Sequence, residues 1–353
     1  MEWTELYEKF YDMPHAQKVK LFDAIKETLY PERNNNLISM IEGIREVRFS
    51  KGLACIHCGS LSLKRNGKYR SRQRYLCKDC GKTFNDMSGS PISGTHYPQK
   101  WLSYFEMMIE GKGKSLPKIA LELEIHISIA FYWRHKILNA IRSIGHQQLE
   151  GIVESDETYV LESEKGKKGG IENRKSRKRG GSAKKRGISN EQMCIVVAND
   201  RSGGIVSKLA GRGRVTSTQM NDALGNLIHK DALLCTDSAT NYKAFAKQIG
   251  INHEVINARK GIHVKKGIYH IQHVNSYHKR LKAWMERFNG VATRYLDNYL
   301  FWFRFLELNK NIGEKMAYKA MLLASCQKPN FTTINSFYHN KDCRQLPTVN
   351  AIC

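Results

Sequence analysis

Two short cysteine pairs, Cys55-Ile-His-Cys58 and Cys77-Lys-Asp-Cys80, are the most specific chemistry-bearing pattern in the chain. A glycine follows each pair (Gly59, Gly81), as suits a tight knuckle turn with positive φ. Four thiolates at this spacing can hold one tetrahedral Zn2+ with bonds of about 2.3 Å. A redox pair shares the C-x-x-C spacing, but two pairs without a βαβ pattern around them point to metal. Four protein ligands leave no open position, so such a zinc is structural and chemistry on a substrate must lie elsewhere. Between the knuckles, Lys64, Arg65, Lys68, Arg70, Arg72 and Arg74 alternate with Tyr69 and Tyr75. A solvated surface hairpin would look similar; the total charge favours phosphate contacts.

The second constellation is acidic. Metal-assisted phosphodiester chemistry needs carboxylates from separate elements to converge on divalent ions about 4 Å apart. Asp156 closes the apolar run Ile152-Val153 with Glu154 on the same strand face, and Leu233-Leu234-Cys235-Thr236-Asp237 is a buried-type strand ending in an aspartate. Ligand-contacting groups in α/β folds sit at such strand ends.

The elements that must position these aspartates follow from periodicity. Strands are expected at Ile152–Val160, Gln192–Asn199 and Ile205–Leu209, the last two joined by a turn at Asp200–Gly204. A helix from about Ser217, a strand at Ala232–Thr236, a helix from about Asn241, a short strand near Glu254–Ile256 and a long helix from about Gln272 complete a β-β-β-α-β-α-β-α order. In that order the first and fourth strands are neighbours, which would bring Asp156 and Asp237 together.

Upstream, apolar residues at helical spacing (Val19, Leu21, Phe22, Ile25, Leu29) indicate helices that stop at Pro31. Ser115 and Ser128 can cap two helices with a short joint, a helix-turn-helix candidate offering Tyr132, Arg134, His135 and Lys136 to DNA; a generic helical hairpin fits equally. The expected domains are a helical segment at 1–50, a four-cysteine zinc ribbon at 51–90, the helical segment at 98–146, a catalytic domain at 150–310, and a C-terminal helix and tail at 311–353, whose last thirty residues read as polar tail. The fold class is therefore multidomain α+β / α/β with a mixed sheet.

Lys and Arg number 57 against 33 Asp and Glu, a net charge of +24, which suits a polyanionic partner and makes double-stranded DNA the leading one. Residues 165–186 hold eleven Lys or Arg, five glycines and a single acid, Glu172. Lys175, Arg177, Lys178 and Arg179 in this insert are expected to grip DNA, although a nuclear localisation signal or a solvated loop would share the composition. No stretch reaches the ~18 apolar residues of a spanning helix and the start lacks a signal-peptide run, so no membrane association and a cytoplasmic, DNA-associated location are expected. Of nine cysteines, five are scattered (Cys194, Cys235, Cys326, Cys343, Cys353), against a disulfide scaffold.

Four features together resemble insertion-sequence transposases of the ISXO-type group: the zinc pairs followed by Gly81-Lys82-Thr83-Phe84-Asn85-Asp86, the Asp156-Glu157-Thr158-Tyr159 strand, Thr236-Asp237, and the run HVNSYHKRLKAWMERFNGVATRYLDNYLFWFRF. The resemblance covers roughly residues 50–310, and its last run is the most specific part. It implies a ribonuclease-H-like core in which Asp156 and Asp237 are the first two ligands of Mg2+ or Mn2+. Where many relatives read His-Thr-Asn-x-x-Glu, this chain reads His273-Val274-Asn275-Ser276-Tyr277-His278, so His278 stands at the glutamate position. A subgroup uses asparagine instead, with a lysine seven residues on, a spacing that Asn275 and Lys282 satisfy. At ~100° per residue, Asn275, His278, Lys279, Lys282 and Glu286 share one helix face, while Tyr277, Leu281, Trp284 and Phe288 form an apolar stripe nearly opposite. Asn275 could then ligate the metal, Lys282 hold a phosphate, and His278 bind metal or shuttle a proton; Glu286, nearly three turns beyond Asn275, is a distant fallback. Tyr295, Tyr299, Trp302 and Phe303 read as core.

The resemblance implies cleavage at transposon ends, attack of the freed 3′-hydroxyl on target DNA, and assembly as a homo-oligomer. Two alternatives stay open: a DNA-binding regulator that has lost catalysis, and a metal-dependent nuclease that does not join.

Overall fold

The computed structural model describes residues 3–15, 17, 18, 21, 25, 31–69, 72–166, 175 and 181–339. The chain divides into two compact units, residues 1–88 with 92–103, and residues 89–91 with 104–353.

In the first unit, helices α1 (Trp3–Asp12) and α2 (Pro31–Arg48) precede a small three-stranded antiparallel sheet of β1 (Leu63–Tyr69), β2 (Arg72–Cys77) and β3 (Thr83–Phe84). Pro31 opens α2, and the expected helix stop before it lies outside the described residues. The first helical position is where a missing N–H costs nothing and a fixed φ suits the helix. Val19, Phe22 and Leu29 lie outside the described residues, and Ile25 is exposed. The sheet buries little: Cys55, Cys77 and Phe84 form its core, with Phe49, Leu53, Ile56, Leu63 and Tyr75 packed around them. So few apolar residues rarely hold a fold without a staple.

The second unit is built on a five-stranded mixed sheet. Its strands are β4 (Ile152–Leu161), β5 (Gln192–Asp200), β6 (Ile205–Arg212), β7 (Leu233–Thr236) and β8 (Asn252–Val255), in spatial order β6-β5-β4-β7-β8. β6, β5 and β4 are antiparallel, whereas β4, β7 and β8 run parallel, so β4 is the hinge between the two halves. Every strand expected from the sequence is present within a few residues, in the expected neighbourhood. On one face, Val153, Cys194, Val196, Ala198 and Leu234 pack against Met220 and Leu224 of α6 (Ser217–Leu224) and Tyr242 and Phe245 of α7 (Thr240–Ile249). A capping box at Thr216 and Gln219 starts α6.

The other face carries α8 (Gln272–Glu286) and α9 (Leu296–Leu308). Val274, Tyr277, Leu281 and Trp284 are the buried stripe of α8. Tyr277 donates its hydroxyl hydrogen to Ser207 Oγ of β6 at 3.2 Å and meets Phe303 of α9 at a ring separation of 5.1 Å. Tyr299, Trp302 and Phe303 are core, as their spacing suggested. Trp302 requires a glycine at position 113, where φ is +93° and a Cβ would stand 2.3 Å from Trp302 Cζ2. A side chain there would displace the largest fully buried residue of the unit.

After α3 (Pro98–Ile109), helices α4 (Leu116–Glu122) and α5 (Ile127–Ile144) have the short joint expected of a helix-turn-helix, but the cap of α5 is His126, whose Nδ1 accepts from Ser128 N–H, rather than Ser128. α5 packs against α9 and α10 (Gly313–Gln327). The residues expected to face DNA are corrected accordingly. Arg134 is 1 % exposed, its guanidinium 4.9 Å from the Trp302 ring centroid and donating to the Lys114 carbonyl at 2.7 Å. His135 is also buried, its Nδ1 accepting from Asn298 Nδ2 at 3.1 Å. Part of the supposed tail is ordered helix as well: α11 (Ile334–His339) places Phe337 on Tyr132, with ring centroids 5.7 Å apart. Residues 340–353 lie outside the described residues.

Candidate functional site

The four cysteine sulfurs converge. Cys55 Sγ lies 3.7 Å from Cys80 Sγ and Cys58 Sγ 3.6 Å from Cys77 Sγ, and all four lie within 4.8 Å of one another. Tetrahedral zinc with ~2.3 Å bonds requires sulfurs about 3.8 Å apart, so the cluster fits the ion. The two knuckles are built alike. Gly59 N–H donates to the Cys55 carbonyl at 2.8 Å and Gly81 N–H to the Cys77 carbonyl at 3.1 Å, both glycines having positive φ (+78° and +69°). Lys64, Arg65 and Lys68 are exposed on the adjoining hairpin and Arg72 and Arg74 half-buried, while Arg70 lies outside the described residues.

Asp156 sits at mid-strand in β4 opposite Val197, and Asp237 follows the last residue of β7. The parallel register pairs Glu154 with Cys235, so carried two residues forward it sets Asp156 beside Asp237. Asp237 Oδ1 accepts the Ala239 N–H at 2.9 Å just before α7, at the positive end of that helix dipole. The Asp156 carboxyl is pushed up to about 7, first by burial and then by the neighbouring Glu157 and Asp237 carboxylates, against the pull of the Lys282 ammonium. Such a carboxylate resists its own charge and gains from a cation.

Glu157, to which the sequence reading gave no role, is the third acid of the group. Its carboxylate accepts from Asn241 Nδ2 of α7 at 2.9 Å, and burial followed by Asp237 raises its pKa while that amide opposes the rise. It points to the opposite sheet face from Asp156, as strand alternation requires.

The polar face of α8 closes the site. His278 Nδ1 lies 3.7 Å from Asp156 Oδ2, and its Nε2 is buried without a hydrogen-bond partner. Burial, with the Lys282 ammonium adding to it, holds its pKa down to about 4, so the imidazole is neutral near pH 7. Asn275 is exposed one turn earlier on the same face, and Lys282 exposed one turn later. Glu286 is exposed and farther along the helix.

What fixes α8 in this register was not foreseen. Glu154, 1 % exposed, accepts the His273 and Val274 backbone N–H groups at 2.8 and 3.3 Å, capping the helix from the strand that carries Asp156. Its Oε1 also meets His273 Nδ1 at 2.6 Å and Arg201 Nη2 at 2.9 Å. The signals available were the alternation Glu154-x-Asp156 and the His270-x-x-His273 pair. Of the basic insert, Lys175 is exposed; Arg177, Lys178 and Arg179 lie outside the described residues. Lys165 at its root is engaged otherwise, donating to the carbonyls of Phe288, Asn289 and Gly290 at 2.9–3.3 Å.

Residues 148–307 match the family model of the ISXO2-like transposase domain. The chain is 26 % identical over 299 residues to an uncharacterized protein in transposable element ISH50 of Halobacterium salinarum, covering 84 % of this chain and 96 % of that one. Among solved structures it is similar to a pre-cleavage Mos1 transpososome (11 % identity, 66 % of this chain and 80 % of that one, TM-score 0.19). The mariner Mos1 paired-end complex with Mg gives 14 % identity, 65 % and 79 % coverage, and a TM-score of 0.20. No helix among the described residues is long and apolar enough to cross a membrane. The matched span takes in the five-stranded mixed sheet and α8, the elements that bear Asp156, Asp237 and Asn275, so this part of the chain is similar to the ISXO2-like transposase domain.

Proposed function

We propose that this protein is an active transposase that cleaves the ends of its element and joins them to target DNA. The observation that carries the reading is the pair Asp156 and Asp237 on neighbouring parallel strands, facing the polar side of α8. Asp156, Asp237 and the amide oxygen of Asn275 would hold Mg2+ or Mn2+. Three observations support a cation there: the raised Asp156 carboxyl, the neutral His278 behind it, and an open, solvent-facing Asn275. When bound, divalent metal at such a site activates the attacking oxygen and stabilises the leaving one.

The chain's own groups do the rest. His278 presses against Asp156 and fixes its rotamer. Lys282, one turn on, offers its ammonium to a phosphate beside the acids. Lys64, Arg65, Lys68, Lys175 and the remaining cations of hairpin and insert supply sequence-independent grip on double-stranded DNA. Two ends must be processed together for the element to move, so the working form is a homo-oligomer.

Strand-transfer assays on pre-cut ends with Mg2+ or Mn2+ test the reading. The wild-type chain is expected to join, and Asp156→Ala or Asp237→Ala to lose at least about 1,000-fold in rate with DNA binding intact. Nicked but never joined products would establish a nuclease, and binding without cleavage by wild type would establish a regulator.

A further inference from the structure

The Glu154 cluster asks for more than hydrogen bonding can give. Arg201, on the β5–β6 turn, sends Nη1 to within 3.0 Å of both His270 Nε2 and His273 Nδ1, and Nη2 to Glu154 Oε1 and to the Ile268 carbonyl. His273 Nδ1 is at the same time 2.6 Å from Glu154 Oε1. A carboxylate only accepts and a guanidinium only donates, so Nδ1 must carry a hydrogen for one contact and a lone pair for the other. It cannot do both.

His270 is over-subscribed in the same way. Its Nε2 faces Arg201 Nη1 at 3.0 Å, while its Nδ1 lies 3.3 Å from both Glu154 Oε1, which needs a hydrogen from it, and the Gln272 N–H, which needs its lone pair. One ligand atom each from Glu154, His270 and His273 nevertheless lie within 4.8 Å of one another. The Arg201 guanidinium touches all three residues, Nη1 at 3.0 Å from both imidazoles and Nη2 at 2.9 Å from the carboxylate.

We propose that Glu154, His270 and His273 form a second transition-metal site, separate from the Asp156–Asp237 pair, and that the Arg201 guanidinium is a tethered cation occupying it in the metal-free chain. A metal there uses the lone pair of His273 Nδ1 and the Glu154 Oε1 charge together, which removes the conflict at that nitrogen. Two imidazoles and one carboxylate select a borderline ion of the Zn2+, Co2+ or Ni2+ class over Mg2+, with Zn–N bonds of about 2.0–2.1 Å. Arg201 is free to leave: its side chain is 30 % exposed at a turn, and its departure trades one positive charge for two beside a buried carboxylate. Coordination would tie β4 to the first turn of α8, the same junction that Glu154 caps.

The full chain with its ribbon zinc in place provides the test, in an Asp237→Ala background so that the acid pair does not compete. Co2+ titration is expected to add a second metal equivalent beyond the ribbon zinc, one without thiolate charge-transfer bands. Replacing Arg201 by Ala in that background should tighten the second equivalent about tenfold or more. A His270→Ala/His273→Ala double variant should lose the second equivalent and keep the first, with circular dichroism confirming the fold. A single equivalent in both the Asp237→Ala and the Asp237→Ala/Arg201→Ala chains overturns the proposal, as does a second equivalent that survives the loss of both histidines.

Discussion

The zinc ribbon and the acid pair are assembled in opposite ways. In the ribbon, each two-cysteine knuckle closes on itself through a glycine N–H and a cysteine carbonyl, and a few short loops bring four sulfurs to one point. Little apolar surface stands behind them. In the core, Asp156, Asp237 and the polar face of α8 are each held by an element buried on its far side; Asp237 has a local contact with the Ala239 N–H, but only the sheet sets it beside Asp156. The ligands make the first fold, whereas in the second the fold makes the ligands.

Removing metal is the hardest blow to that contrast. Chelating the ribbon zinc, or Cys77→Ser, is expected to unfold residues 51–88, since structural zinc supplies on the order of 10 kcal/mol to such modules. The five-stranded sheet should stay protected. Segment-resolved hydrogen exchange reads both, and ribbon amides that remain slow without zinc would break the comparison.

The acid pair should respond in the reverse sense, because its charges burden the fold until a cation arrives. Asp156 has a folded pKa of about 7 against an ordinary 3.8, so its contribution is intact below about pH 4 and is lost as pH rises to 7 and above. Asp156→Asn is therefore expected to stabilise the metal-free chain at pH 8 by about 2–4 kcal/mol, the upper figure being the full shift converted at ~1.4 kcal/mol per unit. Urea unfolding at pH 4 and pH 8 checks it. An unchanged pH profile would mean that Asp156 is already paired.

A smaller effect sharpens the third position. Adding a charge with Asn275→Asp should tighten Mg2+ about tenfold, while His278→Gln should leave metal affinity nearly unchanged and slow the reaction through a looser Asp156. Calorimetric titration with Mg2+ separates them; the opposite pattern would make His278 the ligand. The mildest change is on the ribbon hairpin. Lys64→Ala, Arg65→Ala and Lys68→Ala should each reduce the salt slope of DNA binding by about 0.9 while leaving the Mg2+ dependence of joining alone. A slope that does not move would return that hairpin to ordinary solvated surface.

This contrast also explains what could be read from the sequence. The ribbon is written in spacing alone, and the strands bearing Asp156 and Asp237 announce themselves by apolar runs ending in acids. Arg134 and His135 misled because helical period reports one buried face, and α5 is covered on further sides by α9, α10 and α11, all later in the chain. Glu154 stayed hidden for a related reason: its partners Arg201, His270 and His273 come from a turn, a loop and a helix start that no local pattern connects.

The root of the basic insert has one more consequence. Leu161 and Gln192 are direct partners across the β4–β5 ladder, and the Glu162 N–H donates to the Glu191 carbonyl at 2.9 Å. Ser163 and Thr293 pin the departing strand by reciprocal contacts of 2.8 and 2.9 Å. The chain thus leaves and re-enters the sheet through adjacent, clamped doorposts. Doubling the length of what hangs between them costs only about 0.6 kcal/mol of closure entropy. Related chains could exchange, lengthen or shorten the basic segment at this port, a few residues from Asp156, without re-solving the problem of where the acids stand.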